Sequence, residues 1–360
     1  MDDRAYWVGF HLIPNVGAAR ISALLDVFGD LERAWHADFG SLRDSGMNEN
    51  FARALVDHRE RIDLTREWQR VEDTGASVVT LNDPAYPRLL GQIPNPPPVL
   101  YIKGEILPTD ETSIGVVGTR RATHYGREMT RRLSSGLAAS GVTIISGLAR
   151  GIDGIAHTES LEAGGRTLAV MGCGIDQVYP PEHRKLSERI TENGAIVSEF
   201  PIGTRPEARN FPIRNRLISG LSIGVLVIEA PRRSGALITA TFAADQGRTV
   251  FAVPGSALSS ASEGTHQLLR DGAALAAEVD DILAELQIER RHAAMETRRM
   301  LPEATDDERR VLNSLDGDPR HIDEIALDTG INISQLSAMM LQMQLKGLVR
   351  DAGGQHYARE

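Results

Sequence analysis

The chain has 360 residues, a formal net charge of −10, 41% hydrophobic and 5% aromatic residues, and one cysteine, Cys173. That length suits two or three domains and lets the central part alone bury a full α/β core. The lone cysteine excludes an internal disulfide and the usual cysteine-based zinc sites, no run of about 18 apolar residues offers a membrane span, and MDDRAYWVGF lacks the features of a secretion signal, so the cytoplasm is the expected compartment.

Residues 1–75 read as helical, with Ile21, Leu24, Leu25 and Phe28 spaced for one buried face. Within them Ile13-Pro14-Asn15-Val16-Gly17-Ala18-Ala19-Arg20 has the shape of a hairpin followed by a helix start. It is either a helix-hairpin-helix whose exposed amides hold a phosphate or a plain helical connection. Residues 76–112 form a connector, where Pro94 and Pro96 to Pro98 forbid helix or central strand and VLYIKG supplies one short strand.

From residue 113 to 286 the chain alternates short apolar runs with loops of Gly, Ser, Thr and Arg. IGVVG leads to Gly118-Thr119-Arg120-Arg121, TIIS to Ser146-Gly147-Leu148-Ala149-Arg150-Gly151, and LAVMG to Cys173-Gly174-Ile175-Asp176. VLVIEA leads to Arg232-Arg233-Ser234-Gly235, and TVFAV to Pro254-Gly255. An open α/β sheet binds its ligand beyond the carboxyl ends of its strands, so these five loops are expected to converge. No P-loop occurs, and Gly172-Cys173-Gly174-Ile175-Asp176 stops short of a dinucleotide fingerprint, which removes support for ATP hydrolysis and NAD chemistry. What remains suits anion binding, with glycines admitting a phosphate to the backbone and arginines neutralising it.

Asp153 is placed to cap a helix, with His157 four residues later on the same face. The two are either a catalytic pair or part of a structural hydrogen-bond system, and no Ser or Cys has an activating context. Cys173, between two glycines at a strand end, reads as a packing residue. Asn210-Phe211-Pro212-Ile213-Arg214-Asn215-Arg216 joins a ring to alternating arginines, as single-strand binders do. Phe211 is either that stacking platform or core, with Arg214 or Arg216 then paired to the helix that follows.

The acidic total weighs against nucleic-acid binding, but its distribution does not. Residues 201–250 carry seven Arg against three acidic residues, a local +4, whereas 305–360 carry a local −4. Only three of the 39 basic residues are Lys, which suits bidentate phosphate contact and equally fits a genome-wide bias toward Arg codons. Residues 287–304 read as a linker of mixed charge. Residues 305–360 then read as three helices and a Gly-Gly hairpin, the winged-helix plan. Its third helix offers Gln335, Gln342 and Gln344 with Lys346 as the lone charge, which favours protein contact, self-association or weak DNA contact over sequence reading. Met339, Met340 and Met343 mark a core-facing side or a partner surface.

In order, GTRRAT..G, SGLARGID..AH, G.GID..YP, SEFP.G, FP.RNR.ISGLS, VIEA...SGALITA..A...GR.VFAVPG and SEGT..L closely resemble the DNA-processing protein A family, also called Smf, over roughly residues 80–280. The N-terminal hairpin and C-terminal winged helix resemble accessory domains of many members. The resemblance implies an α/β fold with an extended Rossmann-like open sheet, an all-α helix-hairpin-helix or SAM-like N-terminal domain, and a winged helix. It also implies single-stranded-DNA binding, a homodimer, and loading of the RecA recombinase onto DNA, as in natural transformation. No membrane, metal or cofactor is expected, and no enzymatic activity.

By matching motif positions, the DNA pocket is expected to be lined by Gly118, Thr119, Arg120, Arg121, Ser146, Gly147, Arg209, Phe211, Arg214, Asn215 and Arg216, with Ser234, Gly235 and Thr239 on its rim. Two positions depart from the family pattern: His266 and Leu269 stand where Asn and Ile are common, and Ala208 stands where a basic residue is common, beside Arg209. The competing expectation is a phosphoribohydrolase acting on a phosphorylated nucleoside. Its PGG-x-GT-x-x-E loop would bring a catalytic Glu, which Ser234 to Ala240 lacks.

Overall fold

The computed structural model describes residues 2–288, 305–315, 319–345 and 348–359, in two units, Met1–Arg291 and His292–Glu360. Most of the expected linker and Lys346 lie outside the described residues. Six helices occupy the first 75 residues: Arg4–Leu12, Ala18–Phe28, Leu31–His36, Phe39–Asp44, Glu49–Arg59 and Leu64–Asp73. Four of them begin behind Asp30, Asp38, Asn48 or Asp63, whose side chains accept first-turn amides. Each such cap contributes about 1 kcal/mol. Ile21 and Leu24 are fully buried and Leu25 and Phe28 flank them, joining Phe10, Trp35, Leu42 and Leu55. The same core includes Tyr101, Met171 and Ile196 from the sheet, so these helices pack directly on the α/β layer.

The sheet has nine strands: β1 (Ser77–Thr80), β2 (Val99–Gly104), β3 (Ser113–Val117), β4 (Thr143–Ser146), β5 (Thr167–Val170), β6 (Gly194–Ser198), β7 (Gly224–Val227), β8 (Thr249–Ala252) and β9 (Ala274–Leu275). Their order is β1-β2-β6-β5-β4-β3-β7-β8-β9, with β3 to β9 parallel where they pair, and β1 and β2 antiparallel at one edge. The stretch 76–112 therefore supplies two strands where the sequence pattern gives one. SVVT is too short for its alternation to register, and pairing such as Ser77 with Ile102 makes it a strand.

Period-two alternation splits the buried residues between two faces. Ile114, Val116, Ile144 and Leu226 meet Leu133 and Leu137 of the helix His124–Ala139 and Ile152 and Ala156 of the helix Ile152–Glu162. Val117, Ile145, Val225 and Val227 face Leu217, Ile218 and Leu221 of the helix Asn210–Leu221 and Ala236, Ala240 and Ala243 of the helix Gly235–Asp245. The chain steps outward from β3 through β4 and β5 to β6, then returns to place β7 on the other side of β3. That reversal leaves a crevice at the carboxyl ends of β3 and β7.

The second unit has helices Asp306–Ser314, Ile322–Thr329 and Ile333–Leu345, with strands β10 (Arg320–His321), β11 (Val349–Gly353) and β12 (His356–Arg359) ordered β10-β12-β11. This is a winged helix. Met340 and Met343 are fully buried with Leu336, Val311 and Ile325, and Met339 packs against them, so the methionines fill this unit's core. No helix among the described residues is long and apolar enough to cross a membrane.

At the amino ends of the strands, Asp110 is buried and takes a bidentate Arg166 fork at 2.9 Å on each oxygen, together with the Thr143 hydroxyl at 2.8 Å and the Leu107 amide at 2.8 Å. Breaking a buried pair leaves a charge without its partner. Asp110→Ala is expected to lower the unfolding free energy by about 3 kcal/mol in denaturant titration. Removing the exposed Arg88–Glu111 pair by Glu111→Ala is expected to cost under about 1 kcal/mol.

Candidate functional site

At the switch point lies a cleft of about 530 Å³, lined from five strand ends. The β3 loop contributes Gly118 to Arg120, the β4 loop Ala149 and Asp153, and the β5 loop Tyr179. The segment after β6 contributes Pro206, Ala208, Phe211, Pro212, Arg214, Asn215 and Ile218, and that after β7 contributes Pro231, Arg233 to Ala236, Ile238 and Thr239. Convergence thus holds with two corrections, the first that the segment after β5 reaches the cleft through Tyr179 and not through Cys173 to Asp176. Pro254 and Gly255 after β8 do not line the cleft: the Pro254 carbonyl accepts the Tyr125 hydroxyl at 2.5 Å, and the Gly255 carbonyl is 3.0 Å from His266 Nε2. β8 stands one strand further from the switch point, and residues from Pro206 onward, after β6, take the expected place. His266, on the helix Glu263–Arg270, is accordingly held against that outer loop.

Arg214 organises the floor. Its side chain enters the body of the protein, where Nη1 donates to the Gly147 carbonyl at 2.7 Å and to the Val170 carbonyl, and Nε donates to Asn215 Oδ1 at 3.3 Å. The residue is only 4% exposed. A Cβ at Gly147 would lie 2.6 Å from the guanidinium, so position 147 must be glycine for the cation to pass under the loop. Asp153 lies opposite and accepts the Gly147 amide at 3.1 Å. Burial raises the Asp153 carboxyl above its ordinary range against the pull of Arg214, and burial lowers Arg214 to about 10, with Asp153 opposing the drop. Arg214 therefore remains a cation at neutral pH.

Gly118, Thr119, Arg120, Phe211, Asn215, Ser234 and Gly235 line the cleft as expected, and Thr239 lies buried in its wall rather than on its rim. The Arg120 guanidinium sits 5.4 Å from the Phe211 ring centre, and Arg214 sits 5.8 Å from it on the inner side. Gly147 borders a small adjoining crevice instead. Ser146 is fully buried and donates to the Val116 carbonyl at 2.6 Å, which ties β4 to β3. Arg121 and Arg209 are exposed and do not line the cleft, and Arg209 pairs with Glu207 at 2.7 Å. Arg216 points the other way, ion-paired with buried Glu199, in a second cleft of about 760 Å³ that it shares with the Pro14 to Arg20 hairpin. Neither Arg214 nor Arg216 salt-bridges the following helix.

Among the lining residues left out of the expected site are Arg233, Tyr179 and, in the adjoining crevice, Arg150. Arg233 and Arg150 stand inside quoted motifs but resemble ordinary surface charge. Tyr179 is the Tyr of G.GID..YP, nine residues beyond the end of β5, with no spacing that ties it to Phe211.

Candidate catalytic groups are committed elsewhere. Both Glu229 oxygens accept from Thr123, at 2.9 Å from its amide and 2.7 Å from its hydroxyl, fixing the helix start behind the β3 loop. Burial pushes the Cys173 thiol up to about 11, so it is no thiolate at neutral pH. Asp153 is the second residue of its helix, and Gly151 holds the cap position expected for it. His157 Nδ1 is 2.6 Å from Thr167 Oγ1, whose hydroxyl donates to the Ile144 carbonyl. The ring must therefore donate through Nδ1, leaving Nε2 unprotonated. Asp153 and His157 thus serve two separate structural contacts. Among the described residues no His, Cys, Asp and Glu cluster could hold a metal.

The model for DNA recombination-mediator protein A matches residues 77–287, and that for the DprA winged helix domain matches 295–355. The chain belongs to the DNA recombination-mediator protein A family. It is 34% identical to the Synechocystis protein Smf, across 99% of both chains. DNA processing protein A of Streptococcus pneumoniae superposes with a TM-score of 0.68 at 33% identity, covering 79% of this chain and 98% of that one. The Helicobacter pylori DNA processing protein A, described for its single-stranded DNA binding mode, gives 0.53 at 30% identity, covering 59% and 97%. These matches agree with the expected family and α/β fold.

Arg214→Met is expected to lower unfolding free energy by about 3 kcal/mol, because Asp153 then loses its buried counter-charge. Exposed Arg120→Ala is expected to change it by no more than about 0.5 kcal/mol. Denaturant titration separates the floor from the surface in this way.

Burial drives the His157 pKa from an ordinary 6.5 to about 3. The folded chain refuses a proton that the unfolded chain accepts, so this contribution to stability is present above pH 6.5 and falls as the pH drops toward 3. His157→Gln is expected to give a shallower loss of unfolding free energy between pH 6.5 and 4 than the parent chain, a range bounded by that shift. An unchanged slope would contradict a buried neutral ring.

Proposed function

We propose that this protein is a non-enzymatic mediator of DNA recombination that binds single-stranded DNA in the β3–β7 cleft, dimerises, and loads the RecA recombinase, as in natural transformation. The observation that carries this is the cleft's composition: an exposed Arg120 beside a half-exposed Phe211, over a buried cation, with nearby carboxylates tied into the fold. A ring and a positive track together suit an unpaired base and its phosphate, each stacked base being worth about 1–3 kcal/mol. The Helicobacter pylori relative's described binding of single-stranded DNA supports the same ligand. The family relationship supports the mediator role and the partnership with the recombinase.

Fluorescence anisotropy on oligothymidine and on duplex, across a salt series, tests this. Tighter binding to the single strand is expected, with a log–log salt slope of about 0.7 per phosphate contacted. Phe211→Leu, which keeps apolar volume without the ring, is expected to weaken binding roughly tenfold. Arg120→Ala is expected to weaken it and lower the slope by about 0.7. Equal affinity for both DNA forms, or parental binding in both variants, would refute the proposal. A nucleotide panel is expected to yield no free base; release abolished by a cleft substitution would establish the phosphoribohydrolase alternative.

A further inference from the structure

The aromatic surface of the site continues past Phe211. Tyr179, half-buried on the β5 loop, has its ring centre 5.5 Å from that of Phe211, with the planes tilted by 39°. It borders both the main cleft and the adjoining crevice, which Arg120 and Phe211 separate. Arg150 lines that crevice and is exposed, with its guanidinium 2.5 Å from Glu182. The arrangement Phe211 with Arg120 is thus followed by Tyr179 with Arg150, a second ring beside a second exposed cation. The crevice itself holds about 10 Å³, about the space of one water, so a base can meet Tyr179 only on its outer surface.

Resting on the single-strand reading above, we infer that Tyr179 and Arg150 form a second nucleotide subsite, where the next base of the strand stacks on Tyr179 and its phosphate draws Arg150 away from Glu182. Stacking is tolerant of base identity, because every base has a π-face. Exposed ion pairs contribute little to stability, so a phosphate with its several acceptor oxygens replaces Glu182 readily. Glu182 then acts as a built-in competitor. Its carboxyl is held below the ordinary range chiefly by the Arg150 hydrogen bond, and so it stays ionised where binding occurs.

The test is anisotropy with oligothymidines of increasing length, on the full chain and on Tyr179→Leu, Arg150→Gln, Glu182→Gln and Phe211→Leu, each checked by thermal melting. Tyr179→Leu is expected to bind the shortest oligomer that engages Phe211 as the parent does, and to lose roughly tenfold on longer ones. Arg150→Gln is expected to lower the salt slope on longer oligomers by about 0.7. Glu182→Gln is expected to bind more tightly than the parent at low salt. Should Tyr179→Leu unfold, the two surface variants still decide the matter. Loss of affinity in Phe211→Leu alone, with the other variants at the parental level for every length and salt concentration, overturns the second subsite and leaves the first intact. A parent chain that does not bind single strands overturns both.

Discussion

A single buried guanidinium links the fold to its cleft. Arg214 projects from the helix Asn210–Leu221 beneath the carboxyl ends of β4 and β5, bonds the Gly147 and Val170 carbonyls, and faces buried Asp153. Those carbonyls would otherwise be stranded at the point where the strands stop pairing, and an unpaired buried acceptor costs about 1–3 kcal/mol. The same contact fixes the height of the Phe211 helix against the Gly147 loop. Because Asp153 meets both the Gly147 amide and the field of Arg214, the pair holds two loops and a helix start in one geometry.

This division of labour separates cations that build the site from cations that are free to meet a ligand. Arg214 is buried and Arg216 pairs with Glu199 toward the N-terminal hairpin, whereas Arg120 and Arg150 are exposed beside aromatic rings. Carboxylates follow the same pattern: Glu229 anchors the helix cap Thr123, Asp110 binds Arg166, and Asp153 holds Gly147. A fixed inner cation suits holding an anion, because little has to reorganise on binding. The local excess of arginine after residue 200 is therefore partly structural, and only some of it faces the cleft.

Much of the fold was legible because its signals are local. Short apolar runs such as Ser113–Val117 and Thr143–Ser146 each lead into a Gly-containing loop, so an open α/β sheet and its binding edge could be read directly. Ile21, Leu24, Leu25 and Phe28 marked a buried helix face in the N-terminal region. What stayed hidden depends on long-range placement. β1 is a strand because β2 lies beside it, and the β8 loop misses the cleft because strand order, invisible in sequence, sets it aside. Motif matching treats Arg214 and Arg120 as equivalent charges, since burial is a property of the fold. Tyr179 was missed for the converse reason: it meets Phe211 only after β5 and the helix Asn210–Leu221 have packed.

The most direct test is a crystal structure of the protein with a short oligothymidine. The account predicts Arg214 unchanged on the Gly147 and Val170 carbonyls, a base against Phe211, and Arg120 turned from the ring onto a phosphate. A phosphate bound directly by Arg214, with the Gly147 loop released, would contradict it.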